Sequence, residues 1–371
     1  MSLNFGNIHF SQQPEKVVFL SGSLLKSLGL SSKKSIKLRI GTNTVSAALK
    51  PIERSGKHIY LSSGVRNSVN VPRQGPVYIH SPREGELELG PVVGVLSDGP
   101  PNPSSPFGAR TSYIRQLLRE GNKKMFVYAF APRDINWQRE TVHAYMLGSG
   151  GGFIRKTVPL PDVVYNRLPS RKTDFSPFTN QLRDRFGKRN IKFFNWAFFN
   201  KSDVYSQLDG DLQAGKYLPE TYNNPSPERI KDMMERHHFV YYKPSAGSLG
   251  LGIYRLTYLP KKGYYARYHG NGGNTLLKFP NFNSLMRMLH AKHGAKLKSY
   301  VIQQGIRLIE IDGCPIDFRF HMHKNSRNRW AVVGIGAKKS RTRQRHHAYQ
   351  ERRLADDTGT GALPRFWNQI A

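Results

Sequence analysis

The chain has 371 residues, which is long for one domain and predicts two or three. Hydrophobic residues make up 38% of it and aromatic residues 11%, which excludes a chain that is disordered throughout. The net charge of +32 predicts a surface that attracts polyanions, with a merely solvated basic surface as the alternative.

The sequence predicts a cytoplasmic protein. No run of about 18 apolar residues occurs, so no membrane span is expected. The first ten residues lack the basic and apolar regions of a secretory signal. Cys314 is the single cysteine, which excludes an internal disulfide and fits a reducing compartment.

Residues 1–88 predict a small β-rich domain, either a barrel or a sandwich. Short strand-like runs alternate with glycines that mark the turns, and one run has helical spacing. The predicted strands cover residues 15–20, 35–40, 45–49, 58–61 and 77–80, and the helix covers 21–28.

Residues 89–175 predict an α/β domain, because apolar strand runs alternate with a helical pattern. The run GSGGG at 148–152 predicts a flexible hairpin or loop. No GxGxxG motif follows a strand, which argues against a dinucleotide site. The predicted strands cover 92–96, 125–130 and 162–165, and the helix covers 109–120.

A longer mixed α and β segment begins near residue 176. Ser226 is a suitable helix N-cap, and Pro227 stands at the first helical position. We expect helices over 226–237 and 281–289, and strands over 239–243, 253–258, 299–304, 317–323 and 330–335.

A lysine followed by a glycine-rich run carries the strongest chemical signal. Lys243 ends a predicted strand, the run 244–252 contains three glycines, and a second strand follows at once. Glycines let backbone N–H groups turn toward a phosphate, and the lysine supplies a charge for its oxygens. An ordinary flexible hairpin is the alternative interpretation. The run is not a GxxxxGK[ST] loop, because no Lys-Ser/Thr or helix follows.

The order of these segments resembles the YheC/YheD family of endospore coat-associated, ATP-grasp-like proteins. The similarity spans about residues 15–337. Each matching motif is weak alone, and together they are specific: LGPVVGV at 89–95, PDVVYNR at 161–167, LPET at 218–221, KPSAGS at 243–248, QQGI at 303–306 and DFR at 317–319.

The resemblance implies an α+β or α/β fold in four parts. A small N-terminal β domain over 1–88 would precede a pre-ATP-grasp α/β domain over 89–175. An incomplete ATP-grasp domain over 176–337 would follow, and then a basic, divergent tail over 338–371. The similarity to the family stops near residue 337, which suggests a reading-frame shift or a replaced terminus. A natural basic tail is the alternative.

The resemblance also implies roles for single residues. The implied roles are ATP-phosphate contacts by Lys201 and Lys243, a phosphate flap lined by Ser248, Gly250 and Gly252, a hinge against adenine at Gln303, Gln304 and Ile306, a γ-phosphate or acceptor contact by Arg319, and an acceptor site at Asn166 and Arg167. Three of these roles have structural alternatives: Lys201 could be a surface lysine, Arg319 could pair with Asp317, and residues 166–167 could cap the end of a strand.

ATP and Mg²⁺ are the implied cofactors, but no Mg²⁺ ligands can be identified in this chain. The family's late Glu-x-Asn strand has no match after Asp317. Leu308 stands where the ribose-contacting acid is expected, with Glu310 or Asp312 as substitutes. No metal site is expected elsewhere, since His321 and His323 have no third ligand at suitable spacing.

The resemblance therefore predicts an ATP-binding, spore-associated protein, ancestrally a carboxylate–amine ligase that uses acyl-phosphate chemistry and is impaired in catalysis by its terminus. Expected partners are a nucleotide, an unknown carboxylate or amine substrate, and spore-coat proteins. Sequence-specific nucleic acid is not expected, because the charges are dispersed and no recognition motif occurs. Two alternatives remain: a structural spore-coat protein without turnover, and a polyanion-binding protein.

Overall fold

The computed structural model describes residues 3–99, 102, 104–199, 201–245, 252–270, 273–325 and 327–339. They fall into two compact units, the first ending at Phe198 and the second beginning at Phe199. Within this described part, no helix is long and apolar enough to cross a membrane.

The N-terminal strands close into a seven-stranded barrel, so the predicted β-rich domain is a barrel rather than a sandwich. Alternation explains its core: Ile36, Leu38 and Ile40 point inward from one strand, and more polar residues lie between them. The strands follow the order β1-β5-β2-β4-β3-β7-β6. The elements are β1 (Leu3–Phe10), β2 (Val17–Ser21), α1 (Gly22–Leu28), β3 (Ser35–Ile40), β4 (Asn43–Ile52), β5 (His58–Leu61), α2 (Ser63–Val69), β6 (Gly75–His80) and β7 (Glu86–Gly90).

A seven-stranded mixed sheet completes the first unit. Its order is β10-β11-β9-β8-β13-β14, and β12 pairs with β11 across the turn formed by the glycine run 148–152, which confirms the hairpin. The elements are β8 (Val92–Leu96), α3 (Thr111–Gly121), β9 (Phe126–Phe130), β10 (Ile135–Asn136), β11 (Thr141–Leu147), β12 (Phe153–Pro159), β13 (Val163–Asn166), α4 (Arg171–Asp174), α5 (Pro177–Lys188) and β14 (Lys192–Phe194), with short 3₁₀ turns at Gly108–Arg110 and Pro132–Asp134.

The boundary between the units lies beyond the domain boundary that we expected at residue 175. Strand β14 pairs in parallel with β13, with Val163 opposite Lys192, and Phe186 of α5 is fully buried. These contacts hold α5 and β14 in the first unit. One hydrophobic cluster also runs through the barrel and the mixed sheet, so the two share a core.

The second unit is built on a six-stranded antiparallel sheet in the order β15-β20-β16-β17-β18-β19. Helices α7 and α8 pack against one face of it, where Val240, Tyr242, Leu256 and Ile302 are buried. The elements are α6 (Lys201–Asp209), β15 (Thr221–Asn223), α7 (Pro227–Arg236), β16 (Val240–Pro244), β17 (Tyr254–Leu259), β18 (Gly263–Gly270), β19 (Gly273–Phe279), α8 (Phe282–His293) and β20 (Tyr300–Gln304), with 3₁₀ turns at Gly215–Tyr217 and Gly294–Ser299.

A separate three-stranded sheet follows in the order β21-β22-β23. Its long hairpin pairs Phe320 with Ile335, and both side chains are exposed. The strands are β21 (Glu310–Ile311), β22 (Cys314–Lys324) and β23 (Trp330–Lys339).

Candidate functional site

The six-stranded sheet has a second face, opposite helices α7 and α8. Side chains alternate along a strand, so the neighbours of the buried core residues point to this face. Tyr241 lies opposite both Arg255 and Gln303, and Arg255 lies opposite Arg267. Lys243 stands two residues after Tyr241 and points to the same face. We call the surface formed by these five residues the cationic face: Tyr241, Lys243, Arg255, Arg267 and Gln303.

Lys243 is held in place on the cationic face by a chain of hydrogen bonds. Its Nζ donates to Oε1 of Gln303 at 2.6 Å, and Nε2 of Gln303 donates to Oγ1 of Thr221 at 2.9 Å. Gln303 is only 7% exposed, so its amide has little freedom to reorient. The three strands β15, β20 and β16 therefore fix the position of the Lys243 ammonium.

The end of the glycine-rich run packs tightly where the chain returns to the sheet. Gly252 has φ of +71°, and a Cβ there would lie 3.0 Å from the hydroxyl of Tyr300 and 3.3 Å from Cγ of Pro244. A side chain would be strained at this position. Ser248 and Gly250, the other predicted flap residues, lie outside the described residues.

The predicted hinge contributes one residue to the cationic face. Gln304 is bound to Glu220, since its N–H donates to the carbonyl at 2.8 Å and its Oε1 accepts from the N–H at 3.2 Å. A Cβ on Gly305 would meet the ring of Phe239 at 2.1 Å, so only glycine fits there. Ile306 is 52% exposed. Of this hinge, Gln303 is the residue that belongs to the cationic face.

Two further predicted residues lie on other elements of the second unit. Lys201 begins helix α6, and its side chain lies outside the described part. Arg319 lies on β22, opposite Gly336, and alternates with Phe318 and Phe320. The structure thus brings Lys243 and Gln303 into contact, and the roles of Lys201 and Arg319 stay predictions.

Asn166 in the first unit is engaged in structural contacts. Its Nδ2 donates to Oδ1 of Asp174 at 2.8 Å and to the Trp196 carbonyl at 3.3 Å, and its Oδ1 accepts from Leu168 N at 3.1 Å. Asp174 is fully buried and forms a 2.5 Å ion pair with Arg183. Asn166 therefore positions the end of β13.

Arg167 is better placed than Asn166 to bind a ligand. It follows β13 at the carboxyl edge of the parallel strands, where open sheets bind ligands. Its guanidinium carbon lies 4.9 Å from the ring centroid of Tyr113 and 5.6 Å from that of Tyr165. Its Nε atom is buried without a hydrogen-bond partner among the described residues. Burial, and then the charge of Arg167, lower the pKa of the neighbouring Arg110.

The residues of the cationic face fit the phosphates of a nucleotide better than they fit a metal ion. Lysine and arginine donate to anionic oxygens, whereas Mg²⁺ needs carboxylate or amide oxygens. In the described ranges, no group of three or more His, Cys, Asp or Glu residues could hold a metal. We assign no Mg²⁺ ligand among them.

Two proteins of Bacillus subtilis (strain 168) are similar to this chain. Endospore coat-associated protein YheD is 30% identical over 336 residues, which cover 89% of this chain and 72% of that protein. Endospore coat-associated protein YheC is 25% identical over 207 residues, 55% of this chain and 56% of that protein. The chain belongs to the YheC/YheD family.

The YheC/YheD relationship confirms the predicted fold class. A family model described as YheC/D like ATP-grasp matches residues 190–346, which include the whole cationic face. The mixed helix and strand content of the described residues agrees with an α+β, ATP-grasp-like protein. D-alanyl-alanine synthetase A from Vibrio cholerae O1 biovar eltor str. N16961 is 11% identical, with a TM-score of 0.31 over 66% of each chain, which is too low to support an inference.

Sequence reasoning found Lys243 and Gln303 but missed the rest of the cationic face in this YheC/YheD chain. Tyr241 was available from alternation, because it stands two residues before Lys243. Arg255 and Arg267 required the register of β16, β17 and β18, which the sequence does not state.

Proposed function

We propose that this protein binds ATP on the cationic face of its second unit and uses it in carboxylate–amine ligase chemistry. The observation that carries the proposal is the 2.6 Å bond between Lys243 and Gln303. This bond joins the lysine that precedes the glycine-rich run to the hinge residue on β20. A lysine fixed in this way is suited to phosphate oxygens.

Bound ATP supplies a phosphoryl group that can activate a carboxylate as an acyl phosphate. The residues of the chain orient the reactants: Lys243 holds phosphate oxygens, Gln303 through Ile306 flank the adenine, and Ser248, Gly250 and Gly252 cover the phosphates. Lys201 and Arg319 add positive charge where negative charge develops. Each of these roles is part of the proposal.

The acceptor site in this proposal is built around Arg167. Its buried Nε atom and its two tyrosine neighbours support an interaction with a carboxylate, because arginine donates to such a group in bidentate geometry. Asn166 contributes by holding the strand end, through its bonds to Asp174 and Leu168.

Calorimetric titration with ATP tests the proposal on the wild type, Lys243→Ala and Lys231→Ala. Lys231 is a matched control, because it lies on helix α7, where its Nζ is 3.9 Å from the carboxylate of Glu235. Losing a charge-assisted contact at Lys243 costs about 1.5–3 kcal/mol, or roughly tenfold or more in affinity. Lys231→Ala should match the wild type. Absence of binding by the wild type, or equal affinity in Lys243→Ala, would contradict the proposal.

Association with the spore coat is a second part of the proposal. The names of both Bacillus subtilis relatives describe them as endospore coat-associated, which supports it. Immunodetection of the chain in coat extracts of purified spores tests this. Its presence in the coat fraction is expected, and its confinement to the soluble fraction of the mother cell would contradict the idea.

We also propose that the +32 charge gives weak, non-specific binding of nucleic acid rather than a dedicated function. Such binding comes from counterion release and falls steeply with salt. Filter binding of duplex DNA at about 50 and 200 mM salt should show this loss. Tight, sequence-dependent binding at the higher salt would favour the polyanion-binding alternative.

A further inference from the structure

We propose that a polar pocket in the first unit binds an uncharged saccharide of about disaccharide size. The pocket has a volume of about 610 Å³, which is within the range of small-molecule sites. Every residue that lines it is polar: five carry hydroxyls, three carry amides, and the others are Asp134, Arg139 and His143. All of them belong to the first unit, so the inference does not depend on where ATP binds.

Two parts of the first unit contribute the lining of this pocket. The barrel supplies Thr42 from the turn between β3 and β4, and Asn70 from the end of helix α2. The mixed sheet supplies Asn136 on β10 and Thr141, which lies opposite it on β11. The N–H of Thr42 donates to the carbonyl of Leu160 at 3.2 Å, which ties the barrel turn to the sheet. The pocket is therefore preformed within the folded unit.

Two threonines give the pocket unused hydrogen-bonding capacity. Thr141 is only 7% exposed, yet its hydroxyl makes no hydrogen bond within the described ranges. Val142, the next residue, is part of the core, so Thr141 points to the opposite face of β11, toward the pocket. Oγ1 of Thr42 is also buried, with no partner in the part of the chain that the structure describes. Withdrawing a hydroxyl from water without a partner costs stability, and a ligand that bonds to it would remove that cost.

The asparagine amides of the pocket are available to a ligand as well. Oδ1 of Asn136 accepts from the N–H of Arg139 at 3.0 Å, and its Nδ2 has no acceptor among the described residues. Asn70 ends helix α2 with φ of 52°, and its side chain makes no hydrogen bond to any residue that the structure describes. An amide offers two donor hydrogens and one acceptor oxygen, so the lining can both donate and accept.

The chemistry of the lining favours an uncharged polyhydroxy ligand. Both carboxylate oxygens of Asp134 are engaged: Oδ1 pairs with Arg155 at 2.8 Å, and Oδ2 accepts from the N–H of Ala131 at 2.7 Å. Arg139 and His143 are exposed, so solvent screens their charges. None of the described lining residues is apolar, which disfavours a nucleobase or an aliphatic chain. The hydroxyls of a saccharide both donate and accept, and they match the hydroxyls and amides of the pocket.

Saturation-transfer NMR and calorimetry with maltose, N,N′-diacetylchitobiose and inorganic phosphate test the inference on the wild type, Thr141→Val, Asn70→Gly and Thr257→Val. Valine keeps the shape of Thr141 and removes its hydroxyl. Glycine tolerates the positive φ of residue 70 and removes the amide. Thr257 is the matched control, because it is also a strand threonine but lies on β17 in the second unit. Circular dichroism melting measures the stability of each variant.

At least one of the two disaccharides should bind the wild type, and Thr141→Val and Asn70→Gly should each weaken that binding roughly fivefold. Thr257→Val should bind the sugar like the wild type. Thr141→Val should melt no lower than the wild type, which distinguishes a ligand-binding hydroxyl from a structural one. If Thr141→Val does not fold, Asn70→Gly keeps the test. Failure of both disaccharides to bind at millimolar concentration would overturn the inference, as would sugar binding that neither pocket variant weakens, or binding of phosphate alone.

Discussion

The ammonium of Lys243 and the side-chain amide of Gln303 lie 2.6 Å apart, on strands that are neighbours in the sheet but separated by 60 residues in the chain. The amide also bonds Thr221, so one buried side chain links three strands. This contact connects the predicted phosphate residue to the predicted hinge, and it makes Gln303 a positioning residue for Lys243.

Gln303→Leu tests that link. The change keeps the volume but removes the acceptor for Lys243 and the donor to Thr221, so we expect ATP affinity to fall several-fold and stability to fall by about 1–3 kcal/mol. Calorimetry and urea denaturation measure the two effects. Gln303→Glu, which keeps an acceptor for the ammonium, should recover most of the stability. Unchanged ATP affinity in Gln303→Leu would show that the bond does not position Lys243 for the nucleotide.

The buried ion pair of the first unit predicts a large stability effect. Arg183 and Asp174 are 2% and 0% exposed, and Asp174 also accepts from Asn166. Arg183→Met leaves a buried carboxylate without its partner, which costs about 3–5 kcal/mol. Hydrogen exchange of the β8 and β13 amides measures it.

Lys123→Met is the control for Arg183→Met. Lys123 pairs with Glu120 at 2.6 Å, but both side chains are exposed. Exposed pairs contribute about 0–1 kcal/mol, so exchange should barely change. Similar effects in the two variants would contradict the structural role given to the buried pair.

How far the sequence predicts this fold depends on where its apolar residues point. Strand β8 and helix α7 were predicted within a residue or two, because an apolar run marks the first and a Ser-Pro start marks the second. Strand β1 was missed because its pattern is reversed: Asn4 is buried, whereas Leu3 and Phe5 are exposed. Its apolar residues also change phase between Phe5 and Ile8, so no single alternation runs through the strand.

The candidate site was predictable only in part, for a different physical reason. A lysine before a glycine-rich run is a local pattern, so Lys243 could be read from the sequence. The position of Arg255 on the same face depends on strand register, and a slip of one residue would send its side chain to the helices. Register is set by the packed core rather than by the local sequence.

Glu220 gives the second unit a predicted pH dependence. Hydrogen bonding to Arg236 is the main cause that lowers the pKa of Glu220, from 4.5 to about 2, and His237 and Tyr222 act in the same direction against burial. Because the pKa is lowered in the folded state, its stabilisation is present above pH 4.5 and is lost as pH falls toward 2. Glu220→Gln should flatten this dependence.

Urea midpoints of the wild type and Glu220→Gln, followed by circular dichroism at several pH values, measure the effect. The difference in urea midpoint between the wild type and Glu220→Gln should narrow as pH falls below 4.5. A difference that stays constant down to pH 3 would show that the Glu220 carboxylate does not stabilise the fold.

The most direct measurement is a crystal structure of the protein with a non-hydrolysable ATP analogue. We predict the phosphate chain within hydrogen-bonding distance of Nζ of Lys243 and the adenine against the hinge at 303–306. Calorimetry on the same preparation would establish that the analogue binds in solution. A nucleotide bound to the other face of the sheet, or elsewhere in the chain, would contradict the assignment of the cationic face as the ATP site.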